Sequence, residues 1–330
     1  MHVLVTGGAG YIGSVTCEVL QEHRHTVCVV DDLSRGHRAA IPPGVPLEVC
    51  SILDAERMRA ILERERPDGV LHFAASSLVG ESMRDPGLYF RNNVGGMVSL
   101  LDACVEAGCR RVLLSSSAAT YGDPDEVPIP EEAPTRPTNP YGESKRICEQ
   151  MLEWYRRVHG IRYGSLRYFN AAGASVERGE DHEPETHLIP LALQAALGSG
   201  NALRVFGTDY QTEDGTCVRD YIHVVDLAEA HLLTLEKLQA TERLVLNLGN
   251  GSGFSVLEVI RAVEAVTGRT VPWSAAPRRE GDPPRLVASS ARAREVLGWR
   301  PQFDSLERIV QTAADWMQEH PRGYEREPTG

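Results

Sequence analysis

A tyrosine and a lysine stand four residues apart in the segment Tyr141-Gly142-Glu143-Ser144-Lys145. At this spacing both side chains lie on the same face of one helical turn, so the ammonium can sit beside the phenol. A free phenol has a pKa of about 10, too high for a base at neutral pH, and a neighbouring cation lowers it. The pair therefore predicts a tyrosine that exchanges protons with a bound ligand.

A glycine-rich run near the N-terminus predicts a nucleotide site. Residues 7–13 have the sequence GGAGYIG and lie between a predicted strand at 2–6 and a predicted helix at 14–22. At such a junction the backbone approaches a pyrophosphate closely and the helix N-terminus supplies free amides. Asp31 closes the next predicted strand, where a carboxylate accepts from the adenosine ribose and repels a 2′-phosphate. These residues predict NAD rather than NADP.

Predicted strands and helices alternate through the first half of the chain. Apolar runs of strand type occur at 2–6, 26–30, 69–74, 111–115 and 163–169, and helical patterns at 14–22, 58–65, 93–107 and 141–159. The alternation predicts an α/β fold, a Rossmann-type doubly wound parallel sheet with helices on both faces. Such sheets bind ligands at the carboxyl ends of their strands, where the serines at 115–117 stand.

The character of the sequence changes after residue 172. An acidic, loop-like stretch at 177–185 marks the crossing into a smaller lobe, although a helix at 221–238 and a strand at 244–248 return to the first lobe. We predict an NAD-binding Rossmann domain at 1–172, rejoined by about 221–250, and a mixed α/β substrate lobe at 173–330. Helices at 256–267, 291–297 and 306–319 fill out that lobe.

The composition argues against several classes of function. Hydrophobic residues make up 42% of the chain and charged residues 24%, and the net charge of −12 argues against general binding to nucleic acid or anionic membranes. No stretch approaches the ~20 apolar residues that span a bilayer, and no signal-peptide pattern is present, so we predict a cytoplasmic protein. The seven cysteines lack the paired spacing of a metal site, and no metal is predicted.

Further motifs are spread from end to end of the chain. They are SSSAATYG at 115–122, RYFN at 167–170, VRDYIHV at 218–224 and RREGD at 278–282. With the Tyr141/Lys145 pair and the glycine run, they make the chain resemble the extended short-chain dehydrogenase/reductase superfamily and, within it, the UDP-glucose 4-epimerases. The similarity covers nearly the whole chain.

The resemblance implies a reaction and its catalytic residues. The reaction is the reversible C4 epimerisation of UDP-glucose and UDP-galactose, by transient hydride transfer to bound NAD through a 4-keto intermediate. Tyr141 would take the proton of the sugar 4-hydroxyl, Lys145 would hold the cofactor ribose and lower the tyrosine pKa, and Ser117 would hydrogen-bond the reacting oxygen. The positive ring of the oxidised nicotinamide would lower the tyrosine pKa as well. A homodimer is also implied.

The same resemblance implies the binding residues by position. Arg219, Arg279 and Asn170 match diphosphate contacts, and the guanidinium fork of arginine is suited to that role. Asp282 matches a uridine ribose contact, Phe206 lies in the segment that lines the uracil, and Ser51 and Ile52 lie near the adenine. The cofactor-binding residues are Gly7, Gly10, Tyr11, Ile12, Gly13, Asp31, Asp32, Ser34, Ser51, Ile52, Phe73, Ala74, Ala75, Asn92, Ser115, Tyr141, Lys145 and Tyr168. The substrate-binding residues are Ser117, Tyr141, Asn170, His187, Leu188, Phe206, Arg219, Arg279, Asp282 and Leu286.

Two departures from the family pattern concern affinity and specificity. Ser77 stands where many members have a lysine, so one NAD contact is missing and we expect NAD to be held less tightly. Leu286, the fourth residue after Asp282, stands where a tyrosine excludes N-acetylated sugars and a small residue admits them. We therefore expect weaker activity on UDP-N-acetylhexosamines.

Two rival functions follow from the same motifs. A nucleotide-sugar 4,6-dehydratase or decarboxylase would also oxidise C4, but dehydratases carry an Asp-Glu pair where this chain has Ala118-Ala119, which cannot move a proton. A non-catalytic NAD-binding sensor would typically lack the tyrosine or the lysine, and both are present. Product analysis separates an inverted C4, a 4-keto-6-deoxy sugar and an unchanged substrate.

Overall fold

The computed structural model describes residues 1–279 and 282–324; Glu280 and Gly281, part of the motif at 278–282, lie outside it. The strands are β1 (His2–Thr6), β2 (Thr26–Asp31), β3 (Leu47–Val49), β4 (Gly69–His72), β5 (Arg111–Ser115), β6 (Arg162–Tyr168), β7 (Asn170–Ala172), β8 (Leu203–Phe206), β9 (Val218–Arg219), β10 (Tyr221–His223), β11 (Arg243–Leu248), β12 (Phe254–Ser255), β13 (Trp273–Ala276) and β14 (Arg285–Leu286). The helices are α1 (Tyr11–Glu22), α2 (Ala55–Glu65), α3 (Val79–Ser82), α4 (Pro86–Tyr89), α5 (Gly96–Ala107), α6 (Pro140–His159), α7 (Leu188–Leu197), α8 (Val224–Lys237), α9 (Val256–Thr267), α10 (Ala291–Leu297) and α11 (Leu306–Glu319), with a π-helical turn at Phe90–Gly95.

A parallel sheet forms the centre of the first lobe. Within the described residues it has seven strands in the order β3-β2-β1-β4-β5-β6-β11. Each neighbouring pair is parallel, from β2 beside β3 at one edge to β6 beside β11 at the other. The predicted α/β fold class is confirmed. Nearly continuous apolar strands are stable in such a sheet only when helices cover both of its faces.

The two faces of the sheet have separate cores. Side chains alternate along β1: Val3 and Val5 pack with α1 and α8 on one face, while Leu4 packs with α2 and α5 on the other. Burial of both faces holds all carboxyl ends of the strands at one edge. That edge carries the residues after β1, β4 and β5 that were predicted to bind the cofactor.

The second lobe has its own core, built by α7, α9 and α11 around β8. Two of its helices begin at side-chain caps: Ser255 and Glu258 form a capping box at α9, and Ser305 caps α11. The chain does not divide cleanly, however, because Ala293 and Trp299 pack into the core of the first lobe. Within the part of the chain that the structure describes, no helix combines the length and hydropathy needed to cross a bilayer.

Two predicted helices begin later than expected. The pattern at 93–107 predicted one α-helix, but it starts in the π-helical turn Phe90–Gly95 and only α5 is regular. The pattern at 221–238 predicted helix throughout, but its first three residues form β10, which pairs with β7. In both places tertiary contacts override the local helical pattern.

Candidate active site

Three features fix the start of α6 and with it Tyr141. The Asn139 side chain caps the helix by accepting from the Gly142 amide at 2.8 Å, and Pro140 takes the first helical position, where no amide hydrogen is needed. Gly142 lies against the segment after β5, because a Cβ added there would be 2.3 Å from the Ala119 carbonyl oxygen. A side chain at 142 would therefore push Tyr141 away from the end of β5.

Tyr141, Ser117 and Lys145 meet at the carboxyl end of β5. A hydrogen bond joins the Ser117 hydroxyl to the Tyr141 phenol. Lys145 lies one turn further along α6, with its Nζ 6.0 Å from the centre of the Tyr141 ring, and it donates to the Ser115 carbonyl oxygen at 2.7 Å. The structure thus brings together the three residues predicted to be catalytic.

Burial acts on the ionisation of both members of this pair. Burial raises the pKa of Tyr141 above its ordinary value, and the hydrogen bond with Ser117 opposes this only in part. Burial also lowers the pKa of Lys145 to about 8. The expected lowering of the Tyr141 pKa by the lysine and an oxidised nicotinamide together stays a prediction. In the protein alone, desolvation of the phenolate outweighs a cation 6.0 Å from the ring centre.

Sequence analysis missed the residue that braces α6. Asn93, in the π-helical turn, donates to the Ser144 hydroxyl at 2.9 Å and accepts from the Ser76 amide at 2.8 Å. Ser144 in turn donates to the Tyr141 carbonyl oxygen at 2.7 Å. Asn93 therefore links the loop after β4 to the first turn of α6. The Asn92-Asn93 pair is visible in the sequence, but only the π-helical turn shows which asparagine faces α6.

The glycine run forms the turn between β1 and α1, and its shape fits a pyrophosphate. A Cβ added at Gly7, where φ is 75°, would be 2.5 Å from the Ala74 amide nitrogen, and one at Gly13 would be 2.2 Å from the Gly7 carbonyl oxygen. At Gly10 the nearest atom to an added Cβ is 3.4 Å away, which leaves room for a ligand. No side chain of the described residues caps α1, so its first amides can bind an anion.

Acidic residues end β2 beside this turn. The Asp31 carboxylate accepts from the Ala9 amide at 3.0 Å and from the Leu33 amide at 2.8 Å. Burial raises the pKa of Asp31, and these two backbone hydrogen bonds oppose the shift. Asp32 is exposed and accepts from the amide and hydroxyl of Ser34 at 2.9 and 2.5 Å. A buried carboxylate held by the glycine turn fits the ribose of NAD.

Another group of predicted cofactor residues lies along the same edge. The amides of Phe73 and Ala74 donate to the Thr6 carbonyl oxygen at 2.9 and 3.0 Å, and Ala75 follows them. The Phe73 ring packs 4.7 Å from that of His231. These contacts fix the loop after β4 directly beside the glycine turn.

The residues predicted near the adenine and on the π-helical turn are placed mainly by packing. Ile52 is buried, and a Cβ on Gly96 would lie 2.3 Å from it, so this side chain fills a notch in α5. The Ser51 hydroxyl accepts from the amide two residues on at 3.3 Å. Asn92 donates to the Ser76 hydroxyl at 3.3 Å. Their contacts with a cofactor stay a prediction.

The predicted cofactor tyrosines make protein contacts through their hydroxyls. Tyr11 donates to the Gly173 carbonyl oxygen at 2.6 Å, and Ile12 after it packs against the core of the first lobe. Tyr168 shares a short hydrogen bond with the Ser115 hydroxyl. Both tyrosines therefore position loops at the strand ends.

The residues predicted to bind the nucleotide of the substrate are grouped in the second lobe. Arg219 and Asp282 form an ion pair with each other. The guanidinium of Arg279, which is exposed, lies 4.1 Å from the centre of the Phe206 ring. The side chains predicted to contact diphosphate, ribose and uracil are thus neighbours, and they contact one another in this structure.

A cleft of about 540 Å³ opens beside these residues. It is lined by Arg279 and Asp282 from the second lobe and by Thr138, just before α6. Tyr210 and Arg278, which the sequence analysis did not single out, also line it, with the guanidinium 4.3 Å from the ring centre. The cleft therefore connects the nucleotide-binding group to the catalytic helix.

Three other residues that were predicted to bind the substrate lie around the lobe that carries this cleft. Asn170 donates from its side chain to the Asp220 carbonyl oxygen at 2.8 Å, which joins β7 to β10. Leu286 in β14 pairs beside β9 and packs near Ala118, next to the catalytic serine. Leu188 is the first residue of α7. Of these three residues, Leu286 is the one that packs beside the catalytic serine.

His187, also predicted to contact the sugar, faces two carboxylates. Its Nδ1 lies 2.6 Å from Glu180 Oε1 and 3.3 Å from Glu185 Oε1. Although burial disfavours the imidazolium, these carboxylates raise the pKa of His187 to about 10. No sequence pattern predicts this cluster, because a mixed loop of acids and histidines has no regular period.

A buried polar network lies behind Ser117. Glu149 on α6 accepts from Arg167 Nε at 2.9 Å and Nη2 at 2.5 Å, and from the Ser116 hydroxyl at 2.6 Å. Arg167 also donates to the Tyr121 hydroxyl at 3.0 Å. The network ties α6, the end of β5 and β6 together, so it holds the catalytic serine and the catalytic helix in register.

A Rossmann-type sheet with tyrosine, serine and lysine meeting at its carboxyl edge defines an enzyme of the short-chain dehydrogenase/reductase class. A family model described as the NAD dependent epimerase/dehydratase family matches residues 3–249. The UDP-glucose 4-epimerase of Streptomyces lividans is 52% identical over 323 residues, which cover 98% of each chain.

Solved structures narrow the class further. The crystal structure of a UDP-glucose 4-epimerase is 48% identical and superposes with a TM-score of 0.97, covering 99% of this chain and 100% of that one. The UDP-glucose 4-epimerase from Brucella ovis in complex with NAD is 49% identical, with a TM-score of 0.93 over 95% of this chain and 97% of that one. The chain therefore belongs to the NAD dependent epimerase/dehydratase family, among its UDP-glucose 4-epimerases, and its cofactor is NAD.

Proposed function

We propose that the protein inverts C4 of the sugar in UDP-glucose and UDP-galactose, with Tyr141 as the proton-transfer group. The observation that carries the assignment is the meeting of Tyr141, Ser117 and Lys145 at the strand edge beside the glycine turn. In this proposal the active form is a homodimer in the cytoplasm.

The cofactor residues divide by the part of NAD that each would hold. The glycine turn and the first amides of α1 hold the pyrophosphate, and Asp31 accepts from the adenosine ribose. Lys145, whose ammonium already lies at the Ser115 carbonyl, holds the nicotinamide ribose. Bound NAD supplies a group that takes hydride from C4 and returns it.

Two protein side chains act on the hydroxyl group at C4 and its proton. The Ser117 hydroxyl holds the reacting oxygen, and Tyr141 removes its proton and later restores it. The burial that raises the Tyr141 pKa would be opposed by the nearby ammonium and by the cationic ring of bound, oxidised NAD. Ala118 and Ala119 offer no acid or base, so the 4-keto sugar is reduced again instead of losing water.

The substrate diphosphate accounts for the arginines of the cleft. Arg219 is paired with Asp282 in this structure, and a diphosphate offers the guanidinium a stronger, bidentate partner. Asp282 is then released to accept from the uridine ribose. Arg279 adds a second cation beside the Phe206 ring, which lies in the segment that would line the uracil.

We expect the purified protein to release NAD on denaturation and to convert UDP-galactose to UDP-glucose in buffer without NAD. The cofactor is regenerated in every cycle, so no exchange is needed. The measurement is nucleotide content together with analysis of the C4 product. Activity that depends wholly on added NAD would show that retention is weak, with Ser77 as the first suspect; a 4-keto-6-deoxy product or unchanged substrate would refute the function itself.

A matched pair of glycine variants tests the cofactor loop. Gly13→Ala places a methyl 2.2 Å from the Gly7 carbonyl oxygen, so we expect the purified variant to have lost most of its NAD. Gly80→Ala is the control, since an added Cβ there meets nothing within 4 Å. Equal NAD content in both variants would show that the glycine turn does not hold the cofactor.

Leu286 is expected to set the width of the sugar pocket. Leucine lacks the ring of a tyrosine but is bulkier than serine, and burying an unpaired acetamido amide costs on the order of 1–3 kcal/mol. We therefore expect UDP-N-acetylglucosamine to be epimerised with a lower kcat/KM than UDP-glucose. Comparison of both substrates for the native enzyme, Leu286→Tyr and Leu286→Ser decides this. A substrate ratio unchanged in Leu286→Tyr would remove the residue from the pocket wall.

A further inference from the structure

Four side chains that could bind a metal converge in the crossover between β7 and α7. They are Glu180, His182, Glu185 and His187, and one ligand atom from each lies within 4.8 Å of all the others. Both carboxylates are almost fully buried, with side chains 7% and 9% exposed. This arrangement is unusual for acids in a surface loop, because a buried carboxylate needs a compensating charge.

The distances within the cluster resemble the edges of a coordination shell. His187 Nδ1 is 2.6 Å from Glu180 Oε1 and 3.3 Å from Glu185 Oε1. His182 Nδ1 is 3.0 Å from the same Glu180 oxygen and 3.9 Å from Glu185 Oε2. Ligands about 2.0–2.2 Å from a tetrahedral zinc ion are separated by roughly 3.3–3.6 Å. The four distances, from 2.6 to 3.9 Å, lie on both sides of this spacing, so small shifts that lengthen the shorter contacts would place the four side chains around one ion.

Ion pairing and the hydrogen bond of His182 Nδ1 to Glu180 account for part of the arrangement, but not for the position of His187 Nδ1. Both imidazole Nδ1 atoms are directed at one oxygen of Glu180. The Nδ1 of His187 is buried, yet within the described residues it makes no hydrogen bond of acceptable geometry, despite being 2.6 Å from that oxygen. A hydrogen bond between His187 Nδ1 and Glu180 Oε1 would require the N–H bond to point towards the oxygen. A cation placed between the four ligand atoms does not require that alignment.

Backbone amides hold Glu185, one of the four candidate ligands, in place by hydrogen bonds. Glu185 Oε1 accepts from the amides of Thr186 and His187 at 2.6 and 2.7 Å, which fixes the orientation of its carboxylate. Such outer hydrogen bonds orient ligands in metal sites. On the other side, the His182 ring packs edge-on against Tyr11 of the glycine turn, with centroids 6.1 Å apart.

We propose that Glu180, His182, Glu185 and His187 bind a structural zinc ion. The donor set of two imidazoles and two carboxylates suits zinc, whereas calcium and magnesium prefer oxygen ligands throughout. Four protein ligands close the shell, so the ion braces the crossover segment against the glycine turn and takes no part in the chemistry at C4. The notion that His187 contacts the sugar through its Nδ1 is replaced by metal ligation.

Metal analysis of full-length protein without a polyhistidine tag tests the proposal. We expect about one zinc ion per chain by inductively coupled plasma mass spectrometry, its loss on dialysis against a chelator, and its saturable return when Zn²⁺ is titrated back. Zinc should also raise the melting temperature of the chelator-treated protein. Absence of stoichiometric zinc before dialysis together with no saturable binding afterwards would overturn the site.

Variants assign the ligands. His182→Ala and His187→Gln should each weaken Zn²⁺ binding at least about tenfold, as loss of a ligand does, and should abolish the zinc-dependent rise in melting temperature. Glu177→Gln is the control, because Glu177 is an exposed acid of the same segment outside the cluster. Unchanged zinc affinity in both histidine variants, or an equal loss in Glu177→Gln, would place the metal elsewhere and refute the assignment. C4 epimerisation that survives zinc removal is expected and leaves the proposed function intact.

Discussion

Replacing Tyr141 by phenylalanine should lower turnover of UDP-galactose by at least ~100-fold, the effect of losing a positioned acid-base group. The ring keeps its packing at the start of α6, so substrate binding should change much less than turnover. Steady-state kinetics with both UDP-hexoses, together with a direct binding measurement, separate these two effects. The Lys145→Met variant should act through the same base, and the double variant should lose little more than either single one.

Tyr155→Phe is the control for this experiment. Tyr155 lies on the same helix, but its hydroxyl bonds to Asp102 on the side away from the strand ends. Its removal should leave turnover close to that of the native enzyme. Near-normal turnover in Tyr141→Phe would show that another residue exchanges the proton.

Replacing Arg167 by methionine should cost about 3–5 kcal/mol of stability, because it leaves the carboxylate of Glu149 buried without its partner. The two side chains are only 8% and 10% exposed, so water cannot take the place of the guanidinium. The change should also loosen Ser116, which shares the same carboxylate. Urea unfolding at equal NAD saturation gives the free energy, since bound cofactor itself adds stability.

A surface pair provides the matched comparison. Arg157 binds Glu153 at 2.6 Å, but its side chain is 57% exposed. Arg157→Met should therefore cost no more than about 1 kcal/mol. Equal losses of stability in the two variants would mean that the buried network contributes nothing beyond an ordinary surface ion pair.

Much of the fold follows from short-range patterns. The apolar runs of β1, β2, β5 and β11 and the helical periods of α9, α10 and α11 appear in the structure within one or two residues of their predicted bounds. These elements bury continuous apolar surface, so local pattern and tertiary structure agree. The strand pairs β9 with β14 and β7 with β10 were not predicted, because strands of two or three residues carry no measurable period.

The site was less accessible to sequence analysis for two physical reasons. Motifs indicate which residues meet, as for Ser117, Tyr141 and Lys145, but they do not indicate how burial balances charge. The burial that raises the Tyr141 pKa in the protein alone was therefore not predicted. Contacts between distant segments, such as Arg219 with Asp282 or Asn93 with Ser144, depend on the packed geometry and have no local signal.

The return of the chain to β11 has a consequence for the order of folding. β6 ends at Tyr168, and the strand that covers its open edge begins only at Arg243. During synthesis, the whole segment that carries the nucleotide-binding loops must leave the ribosome before the last strand can add to the sheet. Until then β6 is an unprotected edge available to other chains. A fragment that stops at residue 172 should thus aggregate, whereas one that continues beyond β11 has the strand it needs to cover that edge.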